Sequence, residues 1–164
     1  VAAFGLLTGV HGTPPALIQV EASVRHQDTV RFLDEGDGLL ARPEDFATDH
    51  ALDYVYTTVG SAFTGGLTPL LMGARQLLLA SWEWGALARE RGLWLLGLPP
   101  WTPLGALGYA ALILGWGEVT GAYLARRRVR WVPLRRWVTA GTLLLALHLI
   151  LRIGLAYPWL RWVR

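Results

Sequence analysis

Three ionisable residues, Glu118, His148 and Arg152, lie inside otherwise apolar stretches of this 164-residue chain, and chemistry would be sought there first. An ionisable group within a membrane-spanning helix costs about 2.5–3.5 kcal/mol unless it faces protein or water, so each is expected to have a partner. Glu118 falls near i, i+3, i+4 spacing with Gly105, Gly108, Ala111, Gly115 and Ala122, a small-residue face that lets another helix approach closely. His148 and Arg152 are four apart and share a helix face. A Glu–His–Arg file of this kind would serve a proton relay or an anion path. The preferred reading is structural pairing, with Glu118 bonded to a neighbouring hydroxyl or Arg near the cytoplasmic interface. At 1.5 Å per residue, Glu118 lies roughly 12 Å from the Arg126 end, His148 roughly 18 Å and Arg152 roughly 24 Å beyond Arg136. His148 then falls within side-chain reach of Glu118, whereas Arg152 would need tilt or a shifted register. Arg75, close to the end of an earlier apolar stretch, is a fourth intramembrane candidate that can snorkel to the interface.

Other chemistries find less support. A membrane-embedded His148 could be one axial ligand of a b-type haem, but His11, His26 and His50 stand in broken or polar segments, so haem through His148 is not expected within the chain. Asp45, Asp49 and Asp53 recur at every fourth residue with His50 beside them, an oxygen-rich face that hard cations favour and that solvated helix starts also produce; the solvated face is preferred. There is no Cys, which excludes disulfides, thiolate metal sites and cysteine nucleophiles. Hydrolase, zinc-protease and phosphate-loop motifs are absent, and the Gly117-x-x-x-Gly121 pattern reads as helix packing.

Composition supplies the setting for these residues. Hydrophobic residues make up 53% of the chain and charged residues 16%, against roughly 25% charged in a soluble domain. All fifteen basic residues are Arg, and the Lys-free, Arg-, Leu- and Gly-rich composition fits a GC-rich coding bias. Residues 1–53 hold nine acids and three Arg, a net of −6, while residues 54–164 hold three acids and twelve Arg, a net of +9. The Arg residues flank apolar spans, which argues for membrane topology and against nucleic acid.

The expected fold is all-α and polytopic, with three transmembrane helices at about 54–80, 103–124 and 138–160. Pro69 should kink or break the first span, and residues 81–92, with Trp82, Trp84, Arg89 and Arg91, read as an interfacial connector. Leu93–Leu98 stops at Pro99-Pro100 and is expected to dip into the interface. Residues 1–20 form a broken or interfacial apolar segment, or a fourth membrane segment, rather than a cleaved leader. Residues 21–53 are an acidic, fully water-exposed cytoplasmic segment whose second helix starts at Pro43. Arg126, Arg127, Arg128, Arg130, Arg135 and Arg136 crowd one loop, which fixes that loop in the cytoplasm and could also bind anionic lipid.

Nine Trp, small-residue stripes and no catalytic motif point to contact surfaces. The expectation is a small accessory or structural subunit of a larger respiratory or transport assembly in a bacterial inner membrane, partnered by lipid and by other membrane subunits or copies of itself. The alternative is a small oligomeric transporter, channel or proton-conducting protein using Glu118, His148 and Arg152.

Overall fold

The computed structural model describes residues 2–36, 43–92 and 101–163, and no strand occurs among them. In chain order the helices are α1 (Ala2–His11), α2 (Gln19–Glu35), α3 (Pro43–Thr64), α4 (Leu67–Arg91), α5 (Thr102–Leu124) and α6 (Trp131–Val163), with a 3-10 turn at Ala16–Ile18. The fold is all-α, as its composition implies. The chain groups into two compact units, one formed by Val1–Phe46, Ala74–Pro100 and Ile153–Arg164, the other by Ala47–Gly73 and Trp101–Arg152.

In the first unit, α1 ends at Gly12 and its ten residues reach only about 15 Å, too short to cross a bilayer. α2 closes at Gly36, a left-handed cap whose N–H donates to the Phe32 carbonyl at 2.9 Å. One face of α2 is buried through Ala22, Thr29, Phe32 and Leu33, and Ala22 joins Ile18, Leu79, Trp82 and Ala86 in an apolar cluster. Full water exposure of residues 21–53 therefore does not describe α2, because Ala22, Thr29 and Leu33 repeat at helical spacing and need cover. The supposed connector at 81–92 is helical: residues 81–91 complete α4, with Trp82, Ala86, Leu87 and Ala88 buried. α1 runs parallel to this half of α4, Gly5 lying against Ser81, Gly9 against Gly85, and Gly12 against Arg89. A Cβ on Gly9 or Gly85 would fall 3.0 Å from the other's Cα, a backbone approach that only small residues permit.

In the second unit, the apolar stretch at 54–80 divides into two helices, and the break falls at Gly65-Gly66 instead of Pro69. Both glycines have positive φ, 58° and 99°, a conformation that costs Gly little. Pro69 sits fully buried in the first turn of α4, where a missing N–H costs nothing. Helix α3 begins at Pro43, and α5 spans Thr102–Leu124, both close to the boundaries read from the sequence. α6 begins at Trp131, so the loop is Ala125–Arg130 and Arg135 and Arg136 stand on α6 itself. Pro133 occupies its first turn, which is why a proline there opens the helix instead of prolonging the loop.

α5 and α6 pack antiparallel. A Cβ on Gly115, Gly108 or Gly105 would lie 2.8 Å from Val138, Leu145 or His148 respectively. Each step back along α5 is matched by an equal step forward along α6, a single unbroken register. Among the described residues, Trp131–Leu155 is the one helical stretch long and apolar enough to cross a membrane, and only 17% of its apolar window is buried. Leu93–Leu98 and Pro99-Pro100 lie outside the described residues.

Candidate functional site

Glu118 reaches its surroundings through the small-residue face of α5. Gly105, Gly108, Ala111, Gly115, Glu118 and Ala122 are all buried, as their spacing implies, and α6 covers that face. The carboxylate is 8% exposed and accepts five hydrogen bonds. Arg127 grips it with Nη1 on Oε1 and Nη2 on Oε2, the latter at 2.9 Å. Arg130 donates from its backbone N–H and from Nε to Oε1, each at 3.0 Å, and from Nη2 to Oε2 at 2.9 Å. Two forked guanidiniums on one carboxylate are the strongest form of charge-assisted pairing. The hydrogen bonds they donate to Glu118 raise both guanidiniums above their already high ordinary range, so neither gives up its proton.

The turn between the helices sets this geometry. Arg127 N–H donates to Ala122 O at 2.9 Å and Arg126 N–H to Tyr123 O at 3.1 Å, the two crossed bonds of a Schellman cap. Arg126 fills the left-handed position with φ 49°, where glycine is usual. The cap reverses the chain within one turn and carries Arg127 and Arg130 back over the end of α5.

Glu118, His148 and Arg152 do not form one file. His148 packs against Gly105, thirteen residues from Glu118 and so roughly 20 Å away along α5. The depth expected from the sequence was short because it began α6 after Arg136 instead of at Trp131. His148 is buried, its Nδ1–H donates to the Trp101 carbonyl at 2.6 Å, and its ring lies 5.9 Å from that of Tyr54. Thr57 donates its hydroxyl to the Asp53 carbonyl at 2.7 Å, Tyr109 lies near enough to Asp53 and Arg152 to feel their charges, and the Arg152 charge also acts on His148. Asp53, Thr57, Tyr109, His148 and Arg152 thus form a second polar cluster, buried at Thr57, Tyr109 and His148. Thr57 and Tyr109 were not singled out in the sequence, although Asp53 and Thr57 are four apart on one helix face.

The remaining candidates separate. Arg75 is sixteen residues before the end of α4 and pairs with Glu21 of α2, so it does not snorkel from a helix terminus. That pair belongs to a ladder between α2 and α4: Thr29 donates to Glu83 at 2.5 Å, His26 to Glu90 at 3.0 Å, and Arg91 to Asp34 at 2.6 Å. Burial pushes the Glu90 carboxyl up, but the hydrogen bonds and charges of Arg89 and His26 outweigh it and hold Glu90 below the usual carboxylate range. The side chains of Asp45, Asp49 and His50 lie outside the described residues, and no cluster of metal-ligating side chains occurs among those described. Gly117 has no atom within 4 Å of where its Cβ would stand, and Gly121 has only an Arg127 nitrogen at 3.8 Å. Among the described residues, therefore, no helix meets the open Cβ direction of Gly117, although the Gly66 turn approaches its backbone N. Compared with family models, with characterised proteins and with solved structures, the chain matches none.

Proposed function

We propose that this protein is a small integral membrane accessory or structural subunit of a larger respiratory or transport complex. The carrying observation is the apolar stretch Trp131–Leu155, only 17% of whose apolar window is buried in the folded chain. A helix of this composition is ordinarily explained as a soluble core or as an N-terminal signal. This one is neither buried nor near the N-terminus, so lipid or partner helices are what would cover it. Exposed Leu107 and Leu114 on α5 and Val55, Val59 and Phe63 on α3 extend the same demand. On this reading α5 and α6 cross the bilayer as a pair, the arginine-rich turn faces the cytoplasm, and the broken 54–80 stretch is membrane-embedded. Glu118 acts as a structural carboxylate, since both its oxygens are occupied by arginine. Carbonate-washed membranes followed by mild detergent extraction and native electrophoresis test this. A stable heteromeric band supports it, and recovery of the chain in the wash overturns it.

A second reading, a small oligomeric transporter, channel or proton-conducting protein, draws on the buried cluster around Tyr109, His148 and Arg152. It predicts a homo-oligomer that passes protons or ions in liposomes and loses that flux on His148→Ala. Glu118 is a poor member of such a path, being clamped and roughly 20 Å away.

A further inference from the structure

Six arginines cluster between Ala125 and Trp137, and they divide into two groups. Arg127 and Arg130 spend their donors on Glu118. Arg126, Arg128, Arg135 and Arg136 are exposed, and none makes an ion pair or side-chain hydrogen bond among the described residues. The sequence offers no acid after Glu118 to neutralise them. Topology alone requires only positive charge on one side; it does not require two of the free guanidiniums to border a groove.

Arg135 and Arg136 do border one. An open groove of about 550 Å³ on α6 is lined by Val132, Arg135, Arg136, Thr139, Ala140 and Leu143. It lies away from the α5 contact, which uses Val138, Gly141, Leu145 and His148. Its chemistry changes along its length: two cations stand near the start of the helix, then come Thr139 and Ala140, then the exposed Leu143. Beyond it Leu147 and Ile150 continue the exposed apolar line at helical spacing. From Arg136 to Leu147 is eleven residues and so roughly 16 Å, close to half of a ~30 Å hydrocarbon core.

We propose that this end of α6 is a binding site for an anionic phospholipid. Arg135 and Arg136 hold the phosphodiester by forked hydrogen bonds, and the Leu143–Leu147–Ile150 line receives an acyl chain. The proposal rests on the membrane reading above. A zwitterionic lipid shares the phosphate but carries its own cation, so the site discriminates by net charge.

Native mass spectrometry of the detergent-purified protein, titrated with phosphatidylglycerol or phosphatidylcholine, tests it. Phosphatidylglycerol is expected to bind at least tenfold tighter than phosphatidylcholine. The double variant Arg135→Gln/Arg136→Gln should lose roughly thirtyfold in affinity for it, at the usual contribution of a surface arginine. Arg126→Gln/Arg128→Gln removes the same charge away from the groove and should lose only a few-fold. Equal losses in the two double variants, or equal binding of the two lipids, overturn the site in favour of diffuse charge. Displacement by glycerophosphate at matched concentration overturns the role of the acyl chain. Release of the wild-type chain by a carbonate wash overturns the membrane reading, and the site with it. Retention in the membrane without lipid discrimination overturns the site alone.

Discussion

Arg130 bonds to Glu118 three times, through its backbone N–H, Nε and Nη2, although its own side chain is 69% exposed. The carboxylate therefore fixes the course of the main chain as well as a side chain, because the backbone N–H of Arg130 immediately precedes the first turn of α6. Glu118→Gln is expected to loosen the α5–α6 turn and lower the thermal midpoint of the purified protein by several degrees. Arg128→Gln, with no partner to lose, should leave it unchanged. Differential scanning fluorimetry in detergent on the two variants checks the contrast.

The α5–α6 register makes a second comparison available within one helix. Gly108→Ala would bring a Cβ to 2.8 Å from Leu145 and should cost about 1–3 kcal/mol, as overpacking does. Gly117→Ala meets nothing within 4 Å and should be neutral or stabilising by up to about 1 kcal/mol from helix propensity. Denaturation of both variants distinguishes them. A larger loss at Gly117 would show that a partner helix occupies its face.

Arg126 holds a left-handed backbone that glycine would adopt without steric cost. Arg126→Gly is expected to raise stability by about 1 kcal/mol. The measurement is the thermal midpoint, with Arg128→Gly as the comparison at a neighbouring loop position.

Acid should weaken the α2–α4 contact. Glu90 is held below its ordinary value in the folded chain, so its contribution is present above that value and is lost as pH falls through the lowered one. Arg89 and His26 supply the stabilisation. The protection factors of the α2 amides, exchange rates corrected for the intrinsic pH dependence, should fall between pH 6 and the acid side of the carboxylate range, and Glu90→Gln should flatten part of that dependence.

Much of α3 and α5 was legible in the sequence. The bounds of α5, the start of α3 at Pro43 and the buried small face carrying Glu118 all follow from spacing and end signals, because those are local properties. The break in the 54–80 stretch was misread at Pro69, since a proline in a helix's first turn is accommodated and two consecutive glycines are the better stop. The partner of Glu118 depended on where α6 begins, seven residues before the span expected at 138–160. A Cβ on Gly5 or Gly9 would strike a neighbouring helix, while one on Gly117 or Gly121 would meet no helix among the described residues, a difference set by which helices meet and invisible in a motif.

The parallel seam of Gly5 and Gly9 on Ser81 and Gly85 joins stretches of chain some seventy-six residues apart. During synthesis the earlier helix emerges first and has nothing to lie on. At ~5–20 residues per second, several seconds pass before its mate leaves the ribosome. Throughout that interval the glycine strip of α1 stays uncovered, and completion of this half of the molecule is timed by translation of α4.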